Sequence, residues 1–200
     1  MNKETKLRLQ VHPLEPERWA DFERLFGSRG ACGGCWCMWW KLAAAEFRRG
    51  KGEGNKKAMK ALVDSGMAPG LLAYAGNKAV GWCAVEPREN YPRLGRSRVL
   101  ARVDETPVWS VVCFFVDKEY RGRGVTARLL KAAVDYVKKQ GGEVVEGYPV
   151  EPKKERIAAP FGYHGLASTF QKAGFTECAR RSETRPLMRL YLRASDHAVK

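Results

Sequence analysis

The stretch VVCFFVDKEYRGRGVTARLLKAAVDYV, residues 111–137, changes character at its middle. It opens with six apolar residues typical of a buried strand, and it closes with apolar residues at helical spacing. Between the two lies the turn RGRG, residues 121–124. Unpaired N–H groups at a helix N-terminus attract anions, and glycine lets an anion approach the main chain. The turn therefore predicts a phosphate or pyrophosphate site, with a basic, solvated turn as the alternative.

Further strands and helices are predicted on both sides of this unit. Their mixed order predicts one α/β domain over residues 1–200, with no internal repeat or linker. Strands are predicted at 7–13, in a hairpin over 70–88 around a Gly-Asn turn, in a second hairpin over 96–103 and 107–116, and at 143–150, 176–182 and 185–192. Helices are predicted at 15–27, 56–66, 125–139 and 165–175. A flexible loop is predicted at 50–57 and a proline-containing loop after residue 150.

Composition and charge limit the kind of protein. Of the 200 residues 44% are hydrophobic, which is typical of a globular chain, and the net charge is +14. Such a basic surface favours nucleic acid, acidic lipid or a phosphate-rich cofactor. We find no signal-peptide pattern at the N-terminus and no run of ~20 apolar residues, so we expect a soluble, cytoplasmic protein that does not enter a membrane. Its six cysteines are then expected to be reduced thiols or metal ligands and not disulfides.

The chain resembles the GNAT superfamily of acyl-CoA N-acyltransferases. Their signature [R/Q]-x-x-G-x-[G/A] follows a strand that ends in valine five residues earlier, and here Val116 precedes RGRGVT, residues 121–126. The segment STFQKAGF, residues 168–175, is similar to the family's last helix, and the element order matches from residue 7 to 193. The resemblance implies a central, mostly antiparallel sheet with a splayed parallel strand pair and flanking helices.

A rival interpretation is a dinucleotide-binding unit, because GRGVTA, residues 122–127, also fits G-x-G-x-x-A. That fold needs further strand–helix repeats, which the rest of the chain does not supply.

The resemblance implies an acetyl-CoA-dependent N-acetyltransferase in which a primary amine attacks the thioester directly in a ternary complex. The acceptor, a small-molecule or protein amine, stays open, as does a monomeric or homodimeric state. No metal is expected. Main-chain groups of Phe114, Phe115 and Val116 would pair with the pantetheine arm, and the pyrophosphate would lie on the N–H groups of Arg121, Gly122, Arg123, Gly124, Val125 and Thr126.

Two positions depart from the family pattern around the cofactor. Thr126 stands where the signature has glycine or alanine. Phe170 stands where many members carry the tyrosine that protonates the thiolate. Tyr163 and Tyr148 are therefore the candidate proton donors, and the alternative for each is that it only packs in the core.

The general base is not in its usual place either. Some members have a glutamate six residues before the strand-ending valine, and this chain has Ser110 there. The remaining candidates for the base are Glu146 and Glu86. The alternatives are that each carboxylate forms a salt bridge and that a chain of water molecules removes the proton.

The segment CGGCWCMWWK, residues 32–41, offers three soft ligands, but a structural zinc site needs four and the three histidines are scattered. Redox chemistry and packing of the thiols between aromatic rings are the alternatives. The resemblance places the segment beside the acceptor pocket, so we predict that Trp36, Trp39 and Trp40 form a wall of that pocket.

Arginine clusters at 88–102 and 179–193 carry much of the positive charge. They predict either solvated strand faces or a nucleic-acid surface. A basic nucleic-acid-binding module, on the same fold but without catalysis, is therefore the second function class.

Overall fold

The computed structural model describes residues 7–152 and 163–192. The proline-containing loop predicted after residue 150 falls largely outside these residues, as do both ends of the predicted 1–200 domain. The strands are β1 Gln10–Pro13, β2 Gly70–Ala75, β3 Lys78–Pro87, β4 Trp109–Val116, β5 Val144–Gly147, β6 Thr176–Arg180 and β7 Pro186–Tyr191. The helices are α1 Trp19–Phe26, α2 Ala44–Arg49, α3 Glu53–Asp64, α4 Pro92–Gly95, α5 Val125–Lys139 and α6 Ala167–Lys172, with 3₁₀ turns at Pro16–Arg18, Arg88–Asn90 and Lys118–Tyr120.

The strands form one sheet in the order β1-β2-β3-β4-β5-β7-β6. All neighbours are antiparallel except β4 and β5, which α5 connects as a parallel pair. This arrangement confirms the predicted α/β class and the mostly antiparallel sheet with its parallel strand pair.

The parallel pair is short. Strands β4 and β5 are in register at three positions only, from Trp109 opposite Val145 to Val111 opposite Gly147. Beyond Val111, β4 continues to Val116 with no partner strand on that side among the described residues. The two strands therefore separate, and an opening lies along the second half of β4.

The core lies on both faces of the sheet. Alternate side chains of β3 point to opposite faces, so Trp82 packs with the cluster that contains α1, whereas Cys83 packs with the cluster that contains α5. A Cβ at Gly81 would lie 2.8 Å from Val125 Cγ1, so glycine at this position lets α5 begin close to the sheet. This contact fixes the position of the loop before α5.

Two local predictions are wrong. Residues 96–103 form no strand, because β3 and β5 already occupy the two edges of the first half of β4, Trp109–Val111. The segment instead returns over the sheet, where Leu100 is buried and its carbonyl accepts a hydrogen bond from Arg88 Nη2 at 2.6 Å. The loop predicted at 50–57 is helical from Glu53, since α3 begins there.

No helix within the described part of the chain is both long and apolar enough to cross a lipid bilayer.

Candidate active site

The loop between β4 and α5 is open to solvent. Gly122 and Gly124 have φ angles of +73° and +78°, in the left-handed region that glycine adopts without strain. A Cβ at either position would meet no heavy atom within 4 Å. No side chain in the described part of the chain caps α5, so the N–H groups of its first turn are available to a ligand.

Arginines stand at this loop. Arg121 Nε donates to the carbonyl of Val116 at 3.0 Å, and the Arg123 guanidinium lies 5.7 Å from the centre of the Tyr120 ring. Positive charge, free N–H donors and two left-handed glycines thus meet at one helix start, an arrangement that suits a pyrophosphate.

The opening beside β4 exposes main-chain polar groups. Asp117 N donates to Val80 O at 3.0 Å, which makes these two residues a hydrogen-bonded pair of the antiparallel ladder. By alternation, Phe115 bonds to β3, whereas the main-chain groups of Phe114 and Val116 face the opening. An extended ligand with amide groups could pair with this edge, as an added strand would.

The closed end of the opening holds a histidine that the sequence did not single out. His164 Nδ1 lies 3.0 Å from the carbonyl of Val112 and therefore donates to it. Burial, and secondarily the charge of Arg185, lower the pKa of His164 to about 3, so the imidazole is neutral. Its ring packs against Tyr163 and Trp40, at 4.1 and 5.8 Å between ring centres.

A cavity of about 290 Å³ lies next to β4, and its wall includes Tyr163, the ring that packs on His164. Its wall is almost entirely aromatic rings, thiols and small residues. The lining residues are Phe26, Ala31, Cys32, Gly33, Cys35, Cys37, Trp39, Trp40, Phe47, Lys51, Cys113, Phe114, Phe115 and Tyr163. It brings Trp39 and Trp40 together with Cys113–Phe115 on one wall.

Trp36 lies elsewhere, which corrects its predicted place on the pocket wall. Its ring is 4% exposed and stacks on Phe26 and Trp19, with ring centres 5.7 and 6.4 Å apart. The reason is the backbone of the turn, since Trp36 itself has φ +44° and Cys37 has φ +59°. These left-handed residues turn the Trp36 ring into the core.

The same turn brings thiols to the cavity floor. Trp82 Nε1 donates to Cys37 Sγ at 3.2 Å. A hydrogen bond from Cys113 and the one from Trp82 lower the pKa of Cys37 against the effect of burial. No group of three or more metal-ligating side chains occurs among the described residues.

Glu146 lies in a buried ion cluster. Its side chain is inaccessible to solvent and accepts from Arg88 Nη1 and Arg189 Nε, each at 2.8 Å, and from Tyr148 Oη at 2.6 Å. Tyr148 is also bonded to Ser110 Oγ at 2.7 Å. The cluster occupies the paired end of β4 and β5, and none of its members lines the cavity.

Glu86 is likewise held in a buried pair. Its carboxylate forms an ion pair with Lys41 and accepts from Asn90 Nδ2 at 3.0 Å. Phe170 is fully buried against Phe114 and Phe175. Neither side chain lines the cavity.

Tyr163 differs from the other candidates, because it lines the cavity and is 37% exposed. Burial of part of the ring raises the pKa of its hydroxyl, which is therefore protonated at neutral pH and able to donate.

Comparisons with known proteins agree on one family. Residues 36–158 match the model of the acetyltransferase (GNAT) family. A GNAT-family acetyltransferase from Listeria monocytogenes superposes with a TM-score of 0.59 at 9% identity, over 93% of this chain and 96% of that chain. The ribosomal-protein-S5-alanine acetyltransferase of Vibrio fischeri gives 0.54 at 17% identity, over 92% of each chain.

The PaiA N-acetyltransferase of Thermoplasma acidophilum, in complex with coenzyme A, gives 0.51 at 14% identity, over 92% of this chain and 99% of that chain. No curated protein sequence matches the chain. At these identities the structures establish a common fold.

Proposed function

The chain belongs to the acetyltransferase (GNAT) family, and on that premise we propose that it transfers an acetyl group from acetyl-CoA to a primary amine. One observation carries the proposal: the open loop before α5, the free edge of β4 and the aromatic cavity follow one another along a single strand. Together they offer places for a pyrophosphate, an extended amide chain and an acceptor.

The chain's own residues fit the cofactor. The N–H groups of residues 121–126 hold the pyrophosphate, with Arg121 and Arg123 supplying positive charge. Thr126, which replaces the glycine or alanine of the signature, still supplies its main-chain N–H to the pyrophosphate site. The main-chain groups of Phe114 and Val116 bind the pantetheine arm, whereas those of Phe115 are bonded to β3. Coenzyme A solved with the Thermoplasma acidophilum relative supports the same ligand for this fold.

Bound acetyl-CoA supplies an activated acyl thioester. The acceptor amine lies in the cavity, its nitrogen bonds to the acyl carbon, and the carbon–sulfur bond breaks. Tyr163 is the proton donor to the leaving sulfur, because it is the protonated hydroxyl on the cavity wall.

We assign neither Glu146 nor Glu86 to proton removal, since buried cations hold both carboxylates away from the cavity. The acceptor proton leaves through water and restores the Tyr163 hydroxyl.

The first test is thermal melting with acetyl-CoA, coenzyme A, NAD and a random RNA, each at physiological salt. A ligand that binds only the native state raises the melting temperature by mass action. We expect a rise with both coenzyme A species and none with NAD. Release of free thiol in the presence of an amine panel then measures turnover.

A rise with RNA alone would favour the basic binding module, and its salt dependence would identify the phosphate contacts. The absence of a shift with either coenzyme A species would refute the acyltransferase proposal.

A further inference from the structure

The acceptor cavity contains no carboxylate among the residues that the structure describes as its lining. Among the described lining residues, Lys51 is the one charged side chain, and it runs over the Gly33-Gly34 turn with Nζ near the position of a Gly33 Cβ. The remaining wall is aromatic, thiol or small. A protonated amine in such a cavity would lose its water and gain no counter-charge.

More positive charge lies next to the cavity. The Arg93 guanidinium stacks at 3.6 Å on the ring of Trp39, which lines the cavity. Burial, followed by the charges of Arg48 and Arg96, lowers the pKa of Arg93, so these cations are close enough to repel one another.

The positive charge is not neutralised within the described part of the chain. Lys51, Arg48 and Arg93 form no ion pair with any residue in 7–152 or 163–192. Arg93 Nη1 is buried with no hydrogen-bond acceptor there. Elsewhere the same chain pairs its buried charges, as Glu86 and Glu146 do. Unpaired cations beside an aromatic cavity suit an anionic group on a ligand.

These features select among amines. An alkylamine is an ammonium ion at neutral pH, and the cations would repel it while the cavity supplied no base to deprotonate it. In an aromatic amine the nitrogen lone pair is delocalised into the ring, and the amine is uncharged at neutral pH. Its ring would pack on Trp39, Trp40 and Phe115.

We propose that the acceptor is a small aromatic amine that carries an acidic group, as the aminobenzoates do. The cavity volume of about 290 Å³ is at the lower end for small-molecule sites, which suits a single ring. This inference rests on the proposed acetyltransferase function and names the substrate class of the same site.

The reaction balances without a carboxylate base. The neutral nitrogen forms the carbon–nitrogen bond as the carbon–sulfur bond breaks. The Tyr163 hydroxyl gives its proton to the sulfur and is reprotonated by the proton that the nitrogen loses. The products are an acetylated aromatic amide and the free thiol of coenzyme A.

The test measures binding and turnover separately. Isothermal titration calorimetry, with coenzyme A present, compares 4-aminobenzoate, aniline and 4-(aminomethyl)benzoate. The first has both proposed features, the second lacks the acid, and the third has a charged amine. We expect 4-aminobenzoate to bind most tightly and to give the highest kcat/KM.

Variants then test the cations. Lys51→Met should weaken the binding of 4-aminobenzoate about 2- to 5-fold, the size of an exposed ion pair, and the loss should show equally in its Kd and in its KM. The kcat for this acceptor and the Kd of aniline should not change. Lys51→Arg should restore the affinity. Lys57→Met is the matched control, because Lys57 is exposed on α3, lies outside the cavity lining and changes the net charge equally.

The inference is overturned if aniline or 4-(aminomethyl)benzoate is the better acceptor, or if Lys57→Met weakens 4-aminobenzoate as much as Lys51→Met does. It is also overturned if 4-aminobenzoate binds and is never acetylated while other amines are. Failure of the proposed function is distinct, since then acetyl-CoA itself would neither bind nor be consumed with any amine.

Discussion

Exchanging Gly124 for aspartate and for asparagine tests the anion site at the start of α5. Gly124 has φ +78°, a conformation that aspartate and asparagine tolerate better than other side-chain-bearing residues. The two replacements have nearly the same shape and differ by one negative charge. No protein atom lies within 4 Å of the new Cβ, so neither side chain displaces a neighbour.

The charge should have opposite effects on folding and on ligand binding. Beside a helix N-terminus, a carboxylate stabilises the native state by ~0.3–1 kcal/mol relative to the amide. For a bound phosphate roughly 5 Å away, Coulomb's law gives a repulsion of ~0.8 kcal/mol at the dielectric constant of water and ~3.3 kcal/mol at an effective value of about 20. The affinity for acetyl-CoA should therefore fall roughly 4- to 250-fold in Gly124→Asp relative to Gly124→Asn.

Melting curves with and without acetyl-CoA measure both effects. At a ligand concentration of about 100 times Kd the native state gains ~2.7 kcal/mol, and a 100-fold weaker ligand leaves only ~0.4 kcal/mol. For a chain of this size that loss corresponds to about 5–9 °C of the ligand-induced shift.

The opposite end of α5 supplies the matched control. Gly141 has φ +77° and is equally open. Since the helix is ~22 Å long, charges at its two ends are screened from one another. Gly141→Asp should be less stable than Gly141→Asn, because the helix dipole is reversed there, and both should keep the full acetyl-CoA shift. Equal acetyl-CoA shifts in Gly124→Asp and Gly124→Asn would refute the anion site.

Three further outcomes concern stability. Glu146→Gln should lose ~3–5 kcal/mol of unfolding free energy in denaturant melts, because two buried arginines lose their counter-charge. The side-chain amide in His164→Asn keeps an N–H donor but, unlike the imidazole, does not titrate. Because the pKa of His164 is about 3 in the native state against 6.5 ordinarily, wild-type stability should fall by up to ~1.4 kcal/mol per pH unit below pH 6.5, and the variant's by less. Cys37→Ala should cost ~1–3 kcal/mol, because Trp82 Nε1 loses its acceptor, and Cys37→Ser should cost less.

Each of these three stability predictions has its own control or its own contrary result. Glu151→Gln removes an exposed ion pair and should cost under ~1 kcal/mol, so an equal effect of Glu146→Gln would contradict the buried cluster. A Glu146→Gln protein that is stable yet inactive at every pH would restore Glu146 as the base. Identical pH slopes for wild type and His164→Asn would show that the imidazole is accessible to protons. Equal losses in Cys37→Ala and Cys37→Ser would show that the Trp82 bond contributes nothing.

Much of the fold and the family could be predicted because the deciding signals are local. The strand, the RGRG turn and the helix of residues 111–139 follow one another in the sequence, and the hairpin of β2 and β3 is marked by its own Gly-Asn turn. The failure at 96–103 has a tertiary cause, since that segment alternates like a strand but the start of β4 already has β3 and β5 on its two edges. Pattern alone does not show which strand edges are occupied.

The site was harder to predict because its side chains are brought together across long separations. The arginines that pair with Glu146 lie 58 and 43 residues away in sequence, and a solitary glutamate on a strand looks the same whether it is a base or half of an ion pair. His164 lies 52 residues from the carbonyl it binds, with no metal-like spacing to draw attention to it. The Trp36 ring was misplaced because left-handed φ at a tryptophan has no sequence signal.

The buried ion cluster and the ligand opening are consequences of two successive residues in β5. Glu146 is opposite Ser110 on β4 and Arg189 on β7, so its ion pairs hold the strands together at the closed end. The next residue is Gly147, where an added Cβ would lie 2.1 Å from the Phe170 ring. The Phe170 ring, on α6, thus fills the space that a side chain at position 147 would need, at the point where β5 leaves β4. Phe170 cannot donate a proton as a tyrosine at this position would. It is suited to the position because its ring packs where the strands begin to separate.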